Sequence, residues 1–465
     1  MGYDSVSRVK SRVLKFVDEN YGRYVDVLGE LVSFKSVAAW KSEELGECAR
    51  YVADLLKERG FRVSLKSAGG PPVVLAELGS GSRTILMYNH YDVQPPDPLE
   101  LWESDPFKVT ARDGLLFGRG VADNKGNIAA RLGAVDSLAD YLEELDLRVK
   151  FLIEGEEEVG SPTLLDVVRD SLDWVKADGG IWETGYVRRD GSLGISLGFK
   201  GMLYVEIVLK GPSRDVHSGA APLVPNPVWR LAKLLVNLKT EDGFVKIPGF
   251  YDGVSEEFLR DAEELIKKLS YEELEELKSE LGLKEFVRGL TGEEALRELY
   301  TKPSLNASGV YAGYTGRGSK TIVPSLAGVK IDIRPVPGQK PEKILENLKR
   351  YLSETGFSDA EVVVHSMYPS GYTKPGEPIV RASVEAAREV YGRDPELAPL
   401  SGGSGPIYIF TDIARIPMTG AGVGYYGSRV HAPNENIRVR DFVLGMKHVA
   451  LTLLNFSRLS TSSPK

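Results

Sequence analysis

Cysteine occurs once in the 465 residues, as Cys48, which excludes an internal disulfide and fits a reducing compartment. Glutamine occurs only twice, at Gln94 and Gln339, against 66 acidic and 58 basic residues; this bias is that of proteins adapted to heat. No apolar run approaches the roughly 20 residues that a membrane-spanning helix needs. The opening stretch, MGYDSVSRVKSRVLKF, lacks the apolar core of a signal peptide, and Val6 stands where a myristoylation signal needs Ser or Thr. A net charge of −8 with both signs interspersed argues against a nucleic-acid surface. A cytoplasmic protein with no membrane or nucleic-acid partner is therefore expected.

What is present is an ordinary globular composition, 42% hydrophobic, in a chain too long for one core, so two or more domains are expected. Residues 7–33 and 43–59 read as amphipathic helices. Short β-rich runs then alternate with helical ones, including one from Lys125 to about Leu142, which implies a mostly parallel sheet flanked by helices. Ser161 and Pro162 read as the N-cap and first turn of one such helix. From residue 201 the texture changes. GMLYVEIVLKG alternates with period two, and a helix near 226–238 and a strongly charged helical stretch follow. GVKIDIRPV, a helix at 341–354 and AEVVVHSM complete a β-α-β-β-α-β, ferredoxin-like α+β module. The α/β texture resumes near 375 and ends in a helix from about Arg440 to Leu459. The expected organisation is an α/β domain built from 1–200 and 373–465, with 201–372 inserted. GRGSKT and SGGSG are glycine-rich but lack the spacing of nucleotide loops.

The run LIEGEEEVGSP puts Glu156, Glu157 and Glu158 on a turn after a strand. Neighbouring like charges raise each other's pKa unless a cation or a shared proton relieves them. Alone, such a run reads as a solvated acidic turn, but other candidates accompany it. His90 and Asp92 end TILMYNHYD, Asp123 sits in GRGVADNKG before a helix, and Glu183 ends GGIWE. His90, Asp123, Glu157 and Glu183 recur at intervals of 33, 34 and 26 residues, close to the roughly 30 of a strand–helix–strand unit. Each then falls at the same end of successive parallel strands, where open α/β sheets place their ligands. His431, one of only five histidines, lies on a loop before the last helix.

Two imidazoles among carboxylates suit a pair of divalent ions, zinc first, with manganese and cobalt as alternatives. The bridging carboxylate is assigned to Asp123, one ion to His90 and Glu183, the other to Glu158 and His431. Asp92 is placed to orient His90; its plainer reading is a turn residue. Glu157, beside a ligand, is placed as general base toward a metal-bridged hydroxide.

HYDVQP with WESDPF, GRGVADNKG, EGEEEVGSP, DVHSG, KTIVP, IDIRPVP, GGSGP and HAPNE run in this order through the chain. Together they resemble the di-zinc exopeptidase and aminoacylase family of carboxypeptidase G, cytosolic dipeptidases, carnosinases, acetylornithine deacetylase and succinyl-diaminopimelate desuccinylase. The resemblance implies that family's catalytic domain with a lid and dimerisation domain, hence a homodimer. It implies Glu157 as base, Glu158 as ligand, Glu156 as bystander, and a cis peptide from Asp123 to Asn124. For the ligand that is Asp or Glu in the family, Glu183 fits better than Asp178; the final ligand matches His431. His217 matches a histidine that reaches into the partner's active site and polarises the scissile carbonyl. Arg334 matches an arginine gripping the substrate carboxylate, with Thr321 and Ser404 lining that pocket. By residue type alone, His217 is a loop histidine and Arg334 a surface charge at a strand end.

The stretch 251–300 is most similar to the dipeptidase and carnosinase branch. The implied activity is metal-dependent hydrolysis of dipeptides or short peptides with a free C-terminal carboxylate. The rivals are an N-acyl-amino-acid deacylase of the acetylornithine or succinyl-diaminopimelate type, and a non-catalytic metal-binding scaffold. Glu157 beside a full ligand set argues against the scaffold.

Overall fold

The computed structural model describes residues 3–459. They form two compact units, one of residues 3–197, 372–398 and 407–459, the other of 198–371 and 399–406.

The first unit is built on a six-stranded sheet ordered Arg62–Lys66, Val73–Leu78, Leu147–Glu154, Arg83–His90, Gly179–Trp182, Met418–Gly420. The first two strands are antiparallel additions, and the last four run parallel. The parallel strands are buried on both faces, so they read as near-continuous apolar runs such as ILMY and FLI. The long helix Tyr3–Ser33 buries Val9, Val13, Val17, Tyr24, Leu28, Leu31 and Val32, a stripe at helical spacing. Lys125–Asp136 is buried from Lys125 to Val135. Its small residues Gly126, Ala129, Ala130 and Gly133 suit that position: a Cβ on Gly133 would meet Met446 and Tyr24.

The second unit carries a four-stranded antiparallel sheet ordered Ser304–Ala312, Leu326–Arg334, Met202–Lys210, Glu361–Tyr368. Numbered along the chain this is 2-3-1-4, the ferredoxin-like order. Leu203, Val205, Ile207 and Leu209 point alternately into a core shared with helices Pro227–Leu238 and Pro341–Glu354. Each such aliphatic side chain contributes about 1.5–3 kcal/mol by leaving water.

The structure differs from the sequence reading at three places. Residues 399–406, expected with the α/β domain, belong to the second unit, because Ser401–Ser404 pairs with Gly198–Lys200. The helix from Lys125 stops at Asp136 rather than near Leu142. Ser161 caps no helix: it adopts φ 51°, and its hydroxyl donates to Glu154 Oε1 at 2.8 Å, while the helix starts later, at Leu164. The buried Glu154 carboxyl needs donors, and this need outweighs capping.

Candidate metal centre

The ends of the parallel strands bring the acids and imidazoles together. His90 is the last residue of its strand, in register with Glu154; Glu183 follows Trp182, the last of its own. Glu157 and Glu158 begin a single 3-10 turn just beyond Leu147–Glu154. Asp123 precedes the buried helix at Lys125, and its peptide to Asn124 is cis.

Asp123 is the centre of the group. Its Oδ1 lies 2.9 Å from His90 Nε2 and its Oδ2 3.1 Å from His431 Nε2. His90 Nε2 also lies 2.9 Å from Glu183 Oε2, and His431 Nε2 lies 3.1 Å from Glu158 Oε2. Two imidazole–carboxylate pairs thus share one aspartate. Glu157 joins His90 and Glu183 in a set whose donor atoms lie within 4.8 Å of one another, as do those of His90, Asp123 and Glu158.

Asp92 braces this arrangement. Its carboxylate lies 3.3 Å from His90 Nδ1, whose ring also meets the Asp92 carbonyl at 3.0 Å. The same carboxylate accepts the backbone N–H groups of Glu157 at 3.2 Å and Glu158 at 3.0 Å. With Nδ1 facing Asp92, Nε2 is the nitrogen turned toward Asp123 and Glu183.

Charge balance favours cations here. Burial raises the pKa of Glu157, helped by the charges of Glu183, Glu158 and Asp123; burial likewise raises Glu183. Burial also opposes ionisation of Asp123, but hydrogen bonds from His431 and His90 prevail and lower it. Burial disfavours protonated His90, yet the Glu183 charge and hydrogen bonds to Asp123 and Asp92 raise it well above its usual value. Hydrogen bonds to Asp123 and Glu158 raise His431 to about 10. The cluster of carboxylates thus favours added positive charge at this spot, which a divalent ion would supply.

The donor chemistry fits such an ion. Glu158 Oε1 is buried with no hydrogen-bond donor. Glu183 Oε2, though close to His90, receives no aligned hydrogen bond. Buried carboxylate oxygens left in this way suit coordination, and imidazole with carboxylate is a set that divalent zinc accepts.

Residues 86–455 match the model described as "Peptidase family M20/M25/M40". The chain belongs to this family. It is 28% identical over 479 residues to the Beta-Ala-His dipeptidase of Homo sapiens, spanning 96% of this chain and 93% of that protein. It is 26% identical to the Cys-Gly metallodipeptidase DUG1 of Saccharomyces cerevisiae, over 97% of this chain and 99% of that one. The crystal structure of the M20 family metallo-carboxypeptidase Sso-CP2 from Sulfolobus solfataricus matches with a TM-score of 0.87 at 40% identity, covering 94% of this chain and 99% of that one. The family drawn from the loop motifs, and its dipeptidase and carnosinase branch, are thereby established. This M20 chain is a hydrolase, and its strand-end cluster is a candidate site for a divalent metal.

The other candidates of the M20 chain lie in the second unit. His217, exposed, pairs with Ile322, and its Nδ1 accepts the Gly219 N–H at 3.0 Å. Thr321 is beside it, its carbonyl accepting the Ser218 N–H at 3.0 Å. Arg334 donates to Ser404 Oγ at 2.7 Å. Arg334 ends the nine-residue strand Leu326–Arg334, whereas Thr321 precedes its start. The structure therefore joins Ser404 to Arg334, at the end of that strand, and Thr321 to His217, ahead of its start.

Several site residues carry no role in the sequence reading. Asn127 donates to the Glu183 carbonyl at 2.7 Å, and Asn124 to the same oxygen at 3.2 Å. Arg131 donates to the carbonyls of Tyr88, Trp182 and Ala421 and to Asn89 Oδ1. Gln94, one of only two glutamines, donates to Glu158 Oε2 at 2.9 Å. The available signal was an Asn and an Arg inside the otherwise apolar NIAARLGAV.

Among the described residues no helix is long and apolar enough to cross a membrane.

Proposed function

We propose that this chain is a cytoplasmic, homodimeric dipeptidase or carboxypeptidase that hydrolyses dipeptides or short peptides with a free C-terminal carboxylate. The observation that carries the reading is Asp123, shared between the His90–Glu183 and His431–Glu158 pairs. In this reading Asp123, His90 and Glu183 hold one divalent ion, and Asp123, Glu158 and His431 hold a second, zinc being the favoured metal. Bound there, such ions supply Lewis-acid polarisation of a carbonyl and make nearby water more acidic.

The chain's own groups do the rest. Glu157 has a firmer hold on a proton than an ordinary carboxylate, which suits it to take one from attacking water and pass it to the leaving nitrogen. Asp92 keeps the His90 ring in one tautomer and fixes the turn that carries Glu157. Arg334, held by Ser404, receives the substrate carboxylate.

His217 supplies a donor to the developing oxyanion. It pairs with Ile322, ahead of the nine-residue strand that Arg334 ends, so the two residues belong to opposite ends of that strand. That supports a site completed by the second subunit's copy of the 198–371 unit rather than by both residues of one chain.

The deciding experiment is a panel of dipeptides, tripeptides and N-acetyl amino acids, assayed with zinc, manganese or cobalt after chelation. Dipeptides are expected to be the best substrates. Preference for N-acyl amino acids would make the chain a deacylase, and no turnover with any metal would leave only the scaffold reading.

A further inference from the structure

Glu435 lies four residues beyond His431 and is fully buried. Its Oε2 accepts from Arg119 Nη1 at 2.7 Å and from the Gly120 N–H at 3.0 Å. Its Oε1 accepts the N–H groups of Ala122 at 2.9 Å and Asp123 at 3.1 Å. Its backbone carbonyl accepts the Gly118 N–H at 3.0 Å. One residue therefore satisfies five donors of the loop that ends in Asp123.

The clamp extends further. Arg119, itself buried, also donates to the Pro95 carbonyl at 3.2 Å, three residues past Asp92. On either side of Glu435, Asn434 Oδ1 accepts the Glu103 N–H at 2.8 Å, and Asn436 donates to the carbonyls of Asn434 and Gly427. His431 and Asn434 both take left-handed backbone angles, φ 64° and 62°, so this loop is tightly folded and anchored at both ends.

A buried carboxylate is costly unless it is paired and fully hydrogen-bonded. Turn hydrogen bonds alone can close a six-residue loop without one. What a rigid carboxylate adds is a fixed distance between the two loops it joins, and those loops carry Asp123 and His431.

We propose that Glu435 is a positioning residue that holds Asp123 at a set distance from His431 and so establishes the spacing of the two ions. The proposal rests on the two-ion reading above. Without Glu435, the N–H groups of Ala122 and Asp123 lose their acceptor, and Asp123 is free to serve one side only. The His90 side keeps its own supports, Asp92 and the two asparagines on the Glu183 carbonyl. On the His431 side Glu158 is likewise held, by Asp92 and Gln94, but the His431 loop is tied to the Asp123 loop through Glu435, so the spacing of His431 from Asp123 is what loosens.

Three variants test this. Glu435→Gln replaces an acceptor oxygen with a donor, and Glu435→Asp keeps the charge but shortens the reach. Arg119→Met combined with Glu435→Gln removes both charges, so that neither is left buried alone. Each is stripped of metal, checked for fold by circular dichroism, and titrated calorimetrically with zinc. Thermal midpoints are taken with and without metal, and the cobalt-loaded absorption spectrum is recorded. The wild type is expected to take up two ions. The folded variants are expected to keep the first and to bind the second at least about tenfold more weakly. The rise in midpoint on loading shrinks accordingly, and the cobalt spectrum changes. Unchanged affinities with an unchanged cobalt spectrum overturn the proposal. So does failure of all three variants to fold, which would make Glu435 a folding residue only. A wild type that binds fewer than two ions overturns the two-ion reading itself.

Discussion

Asp123 Oδ2 lies 3.1 Å from Nε2 of His431, a residue 308 positions later in the chain. The other oxygen of Asp123 meets His90 at 2.9 Å, so one side chain joins the two halves of the cluster. Asp123→Ala is therefore expected to weaken both metal sites, whereas His431→Ala weakens mainly one. Calorimetric zinc titration separates the cases. Two ions bound with native affinity by the Asp123 variant would refute the bridge.

Glu157→Gln is expected to retain its metal and lose at least about a hundredfold in turnover, the usual scale for a positioned acid–base group. Elemental analysis alongside steady-state kinetics checks both halves. Near-normal turnover would remove Glu157 from the base role.

Two groups of the metal-free protein contribute stability that falls as pH rises. His431 is raised to about 10, first through its hydrogen bond to Asp123. Its contribution is complete below its ordinary value of 6.5 and is lost as pH climbs through about 10. Glu154 is raised by burial to about 8, so its contribution is complete below 4.5 and lost through about 8. Both act in the same direction. Burial lowers His448 to about 4 and Lys200 to about 8, and these groups act the opposite way. The His431 contribution is therefore read as a difference: the midpoint of the chelated wild type minus that of chelated His431→Ala is expected to shrink as pH rises from about 6.5 to about 10. A difference that grows over that range would contradict the assignment.

If the active site is shared, His217→Ala keeps its metals and its dimer but loses most turnover. Mixing it with Glu157→Gln subunits should restore activity, because each mixed dimer then contains one intact composite site. Demonstrated subunit exchange with no recovery would place His217 within its own chain's chemistry or outside the reaction.

Arg131→Met strands four acceptors: the carbonyls of Tyr88, Trp182 and Ala421, and Asn89 Oδ1. Each buried group left unpaired costs about 1–3 kcal/mol, so a loss of at least about 3 kcal/mol is expected in chemical denaturation. A loss below about 1 kcal/mol would mean that the site relaxes around the gap.

The strand-end placement of His90, Glu157 and Glu183 was legible because β-α-β units have a regular length and parallel strands expose their ends together. The lid module was legible for a similar local reason: GMLYVEIVLKG alternates, and Leu203, Val205, Ile207 and Leu209 are the buried set. Propensity also marked the charged helices, such as Glu256–Ile266, whose Ser255 hydroxyl accepts the Phe258 N–H.

Other features depended on groups far away in the chain. Ser161 beside Pro162 carries every local mark of a helix start, yet its hydroxyl serves the buried Glu154. Glu435 sits in plain view in HAPNE, but its partners lie 312 to 316 residues earlier. Arg131 is one cation in a small-residue helix, with acceptors on three separate strand ends or loops. By itself, then, the sequence determined which segments become strands and helices and which residue types are available at the loops. Backbone periodicity and side-chain chemistry are local, and they suffice for that. Only the tertiary structure decided which buried charges and amides hold those loops in place, because a buried polar group must find its partner wherever the fold brings one within hydrogen-bond reach.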